Sequence, residues 1–333
     1  MLQTRLTALL GIRCPIISAP MARMSGGHLA AAISTAGGLG TFGGVTTAIP
    51  TGPDYIREQI RYIRSQTDQP FGVGFITQFL PLAPQNFETV LEEKVPVVLF
   101  SFADPRPWVR RAKERGALTI CQVQTLQAAR IAVAAGADIL AAQGNEAGGH
   151  TGAMHLLPFL VQLIEAFPAI PVIAAGGIAN GRSLAAVLAA GAEGAWVGTA
   201  FVATQENMEV PEIHKTRIVQ LGGEDTVYTE VMDIIHTRLR NTPRWPAGIA
   251  ARVHNNPFIQ SWHGRENELR AHLDEILPTY AEALQRGDRD IVPLLFGQSA
   301  DFVQAVRPAA EVLRELCETA EHCLRTRVDN IVQ

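Results

Sequence analysis

Residues 137–152 read ADILAAQGNEAGGHTG. The apolar run Ala137–Ala142 predicts a buried β-strand, because continuous apolar residues are typical of strands covered on both faces. A glycine-rich loop follows at once and carries one histidine, His150. Glycine lets a backbone approach a flat ligand closely, and imidazole titrates near neutral pH. If the strand belongs to a parallel barrel, this loop lies at the end where such barrels keep their chemistry, and His150 becomes a candidate catalytic group.

The first two hundred residues alternate between short apolar runs and amphipathic stretches. The runs that predict strands are Pro15–Ile17, Leu39–Phe42, Phe71–Ile76, Val97–Phe100, Leu118–Val123, Ile139–Gln143, Val172–Ala175 and Gly194–Val197. The stretches that predict helices are His28–Ala36, Asp54–Ser65, Phe87–Glu93, Pro107–Arg115, Leu126–Ala135, Leu156–Phe167 and Arg182–Ala190. Eight strands in this order predict an α/β fold of the TIM (β/α)8 barrel type. A doubly wound sheet is the alternative, but it usually has fewer strands and a GxGxxG after the first, which is absent here.

The alternation stops after Thr204, and prolines then interrupt the helical stretches. Long helices are expected at Glu212–Leu221 and Glu266–Gln285, and again over Val303–Leu324. The sequence therefore predicts three parts. They are a barrel over residues 1–205, an appended helical lid subdomain over residues 206–295, and a C-terminal helical segment over residues 296–333 that packs back on the barrel.

Composition narrows the class of protein. The chain has 333 residues, of which 47% are hydrophobic and 18% charged, so a large core is expected and disorder is not. A net charge of −4 gives no case for nucleic acid or for an anionic membrane, and no apolar stretch approaches the ~20 residues of a spanning helix. The four cysteines are scattered without metal-ligand spacing. We expect a cytoplasmic enzyme without a metal, acting on small molecules, and its exposed helices are compatible with a homodimer.

Two glycine-bearing turns predict a phosphate site. Gly176-Gly177 and Gly198-Thr199 follow the seventh and eighth predicted strands, which is where barrels often bind a phosphate. Free backbone N–H groups at a helix start attract an anion, and glycine removes the side chain that would block it. Neither turn carries lysine or arginine before Arg182. Backbone dipoles would hold the phosphate, which suits a tightly bound cofactor such as FMN.

Other residues at the strand ends are less specific. Gln143 has an amide that can bond a flavin ring edge or ribityl chain. His150 also has a simple alternative, a satisfied loop or core histidine. We expect Glu146 to be solvated and His155 to lie at the surface or to cap the helix that it begins. Tyr228, Tyr280 and Arg252 are weaker candidates for the lining of the entrance.

These segments together resemble the nitronate monooxygenase family, formerly called 2-nitropropane dioxygenases. The resemblance covers residues 12–205 well and residues 206–295 loosely. It rests on Ala19-Pro20-Met21, Ala36-Gly37-Gly38-Leu39-Gly40, Gln143-Gly144-x-Glu146-Ala147-Gly148-Gly149-His150-x-Gly152, Ala174-Ala175-Gly176-Gly177-Ile178 and Gly198-Thr199-Ala200-Phe201.

The resemblance implies an FMN-bound barrel that oxidises alkyl nitronates, and also nitroalkanes, with O₂ to a carbonyl compound and nitrite. It implies that His150 is the active-site histidine. The residues expected at the cofactor are Ala19, Pro20, Met21, Gly74, Gln143, Gly148, Gly149, Gly176, Gly177, Gly198 and Thr199. The family often has asparagine where Gly74 stands and glutamine where Ser18 stands, so flavin contacts differ at those positions.

The sequence pattern is specific for the superfamily but less specific for the reaction. FMN-dependent enoyl reductases and NADH:quinone reductases share much of the pattern. An NAD(P)H-dependent FMN reductase acting on a quinone or an enoyl thioester is therefore the alternative enzyme. A non-catalytic flavin-binding protein is a third hypothesis, and a histidine at the barrel mouth argues against it.

Overall fold

The fold is built on a ring of parallel strands, seen in a computed structural model that describes residues 2–44 and 52–331, with side chains as far as residue 327. The strands found there are β1 (Ile16–Ser18), β2 (Gly40–Gly43), β3 (Phe71–Ile76), β4 (Val97–Ser101), β5 (Leu118–Val123), β6 (Ile139–Gln143), β7 (Gly149–Thr151), β8 (Val172–Ala175), β9 (Ala195–Val197), β10 (Thr226–Thr229) and β11 (Ala250–His254). The eight-stranded sheet has the order β1-β9-β8-β6-β5-β4-β3-β2, and its paired strands are parallel.

Backbone hydrogen bonds between β1 and β2 close this sheet. The Leu39 N–H donates to the Ile16 carbonyl at 2.9 Å, and the Ser18 N–H donates to the Leu39 carbonyl at 3.0 Å. The Ser18 hydroxyl, fully buried, also accepts the Thr41 N–H at 2.9 Å. The predicted TIM-type barrel is therefore confirmed, and the serine at position 18 ties the first strand to the second.

The barrel interior is a filled apolar core. Side chains from alternate positions of the strands meet there, among them Ile17, Leu99 and Trp196. Helix α1 (Arg5–Leu10) adds Leu6 and Leu10 to the same cluster. The strands' other faces pack against the outer helices, so the strands are apolar on both sides, as their continuous apolar runs predict.

The outer helices follow the predicted stretches to within three residues. They are α2 (Gly27–Ala36), α3 (Pro53–Gln66), α4 (Pro84–Glu92), α5 (Arg106–Glu114), α6 (Leu126–Ala134), α7 (Leu156–Ala166) and α8 (Gly181–Ala189). The single turn α9 (Thr199–Val202), which follows β9, has no counterpart among those stretches. Residues 1 and 45–51 of the predicted barrel segment, and residues 332–333 of the predicted C-terminal segment, lie outside the described residues.

Residues 206–295 are not entirely helical, which corrects the sequence-based expectation. Their helices are α10 (Glu212–Val219), α11 (Val231–Arg240), α12 (Pro257–Trp262), α13 (Glu266–Ala271) and α14 (Leu273–Arg286). Strand β11 pairs antiparallel with β10 on one side and with β7, the histidine strand, on the other. The single long helix expected from Glu266 is interrupted at His272.

The C-terminal helix begins later than its pattern suggests. The run from Val303 predicts helix, but α15 occupies Ala309–Ile331 and starts just after a proline. Residues Ala300–Phe302 form a separate 3₁₀ turn instead. Helix α15 lies against α8 and α2 on the outside of the barrel. Among the described helices, none has a stretch long and apolar enough to traverse a bilayer.

Candidate active site

A cavity of about 1110 Å³, counting its open mouth, lies at the carboxyl ends of the barrel strands. Eleven of the twelve residues expected at the site from the sequence line it, and they come from the ends of β1, β6, β7, β8 and β9. They are Ala19, Pro20, Met21, Gln143, Gly148, Gly149, His150, Gly176, Gly177, Gly198 and Thr199. The walls are otherwise mostly apolar, with Phe75, Trp196 and Phe296 among them.

Gly74 is the exception, because it is not part of the cavity wall. A Cβ built at position 74 would overlap the ring of Pro20, which itself faces the cavity. The missing side chain therefore allows Pro20 to pack on β3, and any effect of Gly74 on a bound ligand is transmitted through that proline.

The two glycine-bearing turns expected to bind a phosphate lie side by side. Strands β8 and β9 pair Ala175 with Trp196, so the residues that follow them are neighbours. Gly176 and Gly177 both adopt positive φ, at +107° and +71°, a conformation that favours glycine. The Thr199 hydroxyl accepts the Gly297 N–H at 3.0 Å, and its own hydrogen is then available to an anion in the cavity.

The helix start after β8 is not part of this site. Helix α8 begins at Gly181, and the Asn180 side chain already accepts the Ser183 N–H at 2.8 Å. A Cβ at Gly181 would overlap Thr319 of α15, so this helix end is packed against another helix. An anion here would bind the backbone of the glycine turn itself, not the start of α8 as the sequence suggests.

Gln143 is held in one orientation by two hydrogen bonds. Its Nε2 donates to the His150 carbonyl at 2.9 Å, and its Oε1 accepts from Gln124 Nε2 at 2.8 Å. The side chain is buried at the end of β6 and faces the cavity. It therefore fixes the histidine strand to the barrel and leaves one further donor for a ligand.

His150 lies on a strand, not on a free loop. It pairs with Ala251 of β11, so its backbone is held by residues 101 positions later in the chain. Its Nε2 is 2.7 Å from Asp233 Oδ1. The imidazole stacks on the Trp245 ring with centroids 3.5 Å apart and planes 16° apart, and the Phe102 ring meets it edge-on.

The hydrogen bond to Asp233 assigns the proton on the imidazole. A carboxylate can only accept, so Nε2 carries a hydrogen, and Nδ1 is the nitrogen that no side chain of the described residues engages. The neutral ring can thus accept a proton at Nδ1, and the protonated ring can donate one there. The second carboxylate oxygen of Asp233, Oδ2, is buried without a partner among the described residues.

Sequence reasoning missed both partners of His150. Asp233 lies in the first turn of α11, a helix that was not predicted, and Trp245 lies in a proline-interrupted stretch. Neither residue lies at a fixed distance in sequence from the glycine loop that would identify it as a partner of His150. The pairing of β7 with β11 attaches this subdomain to the histidine loop at the carboxyl ends of the barrel strands.

Glu146 corrects the expectation of a solvated side chain. Both carboxylate oxygens accept the Leu156 N–H, each at 3.1 Å, so Glu146 caps α7. His155 makes no capping hydrogen bond, and its side chain is 71% exposed, which confirms the surface placement.

The three weaker entrance candidates have structural contacts instead. The Tyr228 hydroxyl bonds the Thr151 carbonyl at 3.1 Å, and Arg252 is buried with its Nε 2.8 Å from the Asn145 carbonyl. Tyr280 is buried and contacts His236. These groups join the subdomain to the histidine loop or form its core, so none of them lines the first cavity.

The model of the nitronate monooxygenase family matches residues 3–86 and 82–319. The chain belongs to this family. A curated relative, nitronate monooxygenase from Pseudomonas aeruginosa, is 31% identical over 371 residues, covering 94% of this chain and 98% of the relative. The chain is therefore an oxidoreductase of a family that acts on small-molecule substrates.

The chain is also similar to proteins with other activities in their names. A relative from Mycobacterium tuberculosis, (3aS,4S,5R,7aS)-5-hydroxy-7a-methyl-1-oxo-octahydro-1H-indene-4-carboxyl-CoA dehydrogenase, is 36% identical over 72% of this chain and 67% of its own length. The solved structure of FabK from Thermotoga maritima superposes with a TM-score of 0.86 at 34% identity, covering 99% of this chain and 100% of that one. Family membership therefore leaves the substrate to be argued from the site.

The cavity suits a flavin, as membership of this family of flavin enzymes leads one to expect. Gly198 contributes no side chain to the wall, and beside it lie Ala19 and the sulfur of Met21, each 3.6 Å from where a Cβ would be. An apolar wall for a flat ring and a polar glycine turn for a phosphate thus lie in one cavity.

Proposed function

We propose that this protein binds FMN and oxidises alkyl nitronates, and nitroalkanes more slowly, with O₂ to a carbonyl compound and nitrite. The observation that carries the proposal is His150 at the cavity wall, hydrogen-bonded through Nε2 to Asp233 and stacked on Trp245. Family membership and the relative named nitronate monooxygenase support the reaction class.

The chain offers a consistent set of FMN contacts. The Gly176-Gly177 backbone, Gly198 and the Thr199 hydroxyl would hold the phosphate, since no lysine or arginine among the described residues lines this cavity. Ala19, Pro20 and Met21 would support one side of the ring, and Gln143 would bond its edge. Gly149, where an added Cβ would meet nothing within 4 Å, adds no side chain to the wall, and the absence of a side chain at Gly148 leaves room for the Phe296-Gly297 backbone. Bound FMN would supply the electron transfer between nitronate and O₂.

His150 would act on the substrate through Nδ1. In its protonated form it donates a hydrogen bond to the negatively charged nitro oxygens of a nitronate. In its neutral form it accepts the α-proton of a nitroalkane, which converts that substrate into the reactive anion. Asp233 fixes the ring by accepting from Nε2, and Trp245 covers one ring face, so the imidazole is held in one orientation at the cavity wall.

Product formation tests the proposal directly. The FMN-loaded protein, given propane-2-nitronate in air, is expected to form nitrite and acetone and to consume O₂. Tightly bound FMN without nitrite formation from this or other short nitronates would contradict it.

A second reaction has specific support. An NAD(P)H-dependent reduction of a quinone or an enoyl thioester is favoured by a basic cavity next to the first one and by the relative named as a carboxyl-CoA dehydrogenase. It uses the same barrel wall and differs in the electron donor, which a comparison of donors distinguishes.

A further inference from the structure

A second cavity opens beside the first and shares part of its wall with it. Its volume is about 1550 Å³ with its mouth included. His150, Trp245, Met24, Ile76 and Leu295 are among the residues that line both. A ligand in the second cavity could therefore extend past His150 into the first.

Three arginines face this second cavity: Arg23 from the loop after β1, Arg240 at the end of α11, and Arg289 after α14. Arg240 and Arg289 are half-buried, and Arg23 is exposed. Within the part of the chain that the structure describes, no carboxylate forms an ion pair with any of them. The charge of Arg240 is offset only in part, by the more distant carboxylate of Asp233.

Two carboxylates line the same cavity, so its wall sets three arginines against Asp233 and Glu209. Asp233 is bonded to His150, and Glu209 forms no ion pair with a described arginine. Arg289 Nε donates to His214 Nε2 at 2.8 Å, which requires that nitrogen to be unprotonated. Burial, followed by the charges of Arg240, His150 and Arg23, lowers the pKa of His236 to about 3, so this histidine is neutral.

Guanidinium groups without an ion-pair partner in a partly desolvated cavity are costly to a protein unless a ligand completes them. Burial, and next the nearby charge of Arg23, lowers the pKa of the Arg240 guanidinium, and the charges of Tyr280 and Asp233 oppose this shift only in part.

We propose that the arginine-lined cavity, defined by Arg23, Arg240 and Arg289, binds the phosphate groups of an elongated organic phosphate whose other end reaches the first cavity beside His150. Guanidinium forks bind phosphate oxygens bidentately, and several of them together match a ligand with more than one charge. The proposal goes beyond nitronate oxidation, because a simple nitronate carries no phosphate. It relies on the proposed function only for the flavin in the first cavity.

Two kinds of ligand carry such phosphate groups at one end: a coenzyme A thioester and a reduced nicotinamide dinucleotide. Calorimetric titration of the FMN-loaded protein with coenzyme A and, separately, with NADP⁺ distinguishes them, with inorganic phosphate as the minimal probe. Whichever of the two binds more tightly identifies the source. We expect its affinity to fall steeply with salt.

Charge-removing variants locate the site. Arg240→Gln and Arg289→Gln are each expected to weaken binding of the tighter ligand about tenfold or more, as for loss of a charged hydrogen bond. The control is Arg130→Gln, which removes an exposed guanidinium from α6, away from both cavities. It should leave the affinity unchanged.

The thermal stability of the ligand-free variant shows whether Arg240 serves ligand binding or the fold. Arg240→Gln should leave the melting temperature of the ligand-free protein unchanged or raise it, because it removes a half-buried charge that lacks a partner. Arginine variants that bind both ligands like wild type, or a wild type that binds neither, would overturn the inference. Nitrite formation by wild type is scored separately. Its absence together with arginine-dependent binding would overturn only the proposed nitronate oxidation.

Discussion

The two sides of the active-site region are built from different chemistry. The barrel side consists of strand ends, glycine turns and apolar side chains, and no lysine or arginine among the described residues lies in the wall of the first cavity. The side formed by residues 206–295 supplies Asp233, Trp245, Arg240 and Arg289. In the proposed function, the barrel side holds the cofactor, and residues 206–295 supply groups that face the substrate. His150 lies where the two sides join.

Removal of His150 should have the largest effect. His150→Ala is expected to retain FMN, because the phosphate turns lie on the barrel side, and to lower kcat for nitronate roughly 10²- to 10⁴-fold. Flavin content and steady-state nitrite formation measure the two properties. His155→Ala, which removes an exposed histidine five positions later, is the control. Full turnover by His150→Ala would show that the junction of the two sides is not the reaction centre.

Asp233 should have a smaller effect of the same kind. Asp233→Asn removes the charge that holds Nε2 of His150, and kcat is expected to fall roughly ten- to a hundredfold while flavin content stays the same. Asp274→Asn, an exposed carboxylate of the same subdomain, is the matched control. An unchanged kcat for Asp233→Asn would show that Asp233 does not contribute to turnover and that the subdomain only covers the site.

Acid sensitivity should reside in the subdomain, through His236. Its pKa is lowered from 6.5 to about 3, chiefly by burial, so the unfolded state binds more protons than the folded state below pH 6.5. The stability from neutral His236 is therefore present above pH 6.5 and is lost as the pH falls toward 3.

We expect this histidine to cost about 2 kcal/mol of unfolding free energy at pH 5 relative to pH 8. Denaturant titrations of wild type and His236→Gln at both pH values measure it. The variant should show the weaker pH dependence, and equal slopes for the two proteins would argue against a buried neutral histidine.

A single methyl group added on the barrel side should weaken FMN binding. Gly198→Ala adds a Cβ that meets Ala19 and Met21 only at 3.6 Å, so the fold tolerates it, but the methyl group occupies the cofactor wall. FMN affinity should fall roughly tenfold, as measured by flavin fluorescence on dilution. Gly52→Ala, where a Cβ meets nothing within 4 Å, is the control. Equal flavin retention by both variants would place the cofactor elsewhere.

The same division explains how much the sequence revealed. The barrel could be predicted because each βα unit repeats a local pattern of apolar strand, glycine turn and amphipathic helix, and eleven of the expected site residues line one cavity. The subdomain could not, because β11 finds one partner in β7, about a hundred residues earlier. Asp233 and Trp245 became visible only once that pairing was known, since neither belongs to a local motif.

Anaerobic reduction of the bound flavin tests the central claim most directly. The FMN-loaded protein is mixed without O₂ with propane-2-nitronate or with NAD(P)H, and the loss of flavin absorbance is followed for each donor. We predict rapid bleaching by the nitronate and little by NAD(P)H. Rapid bleaching by NAD(P)H with none by the nitronate would contradict nitronate oxidation and would identify the protein as a reductase.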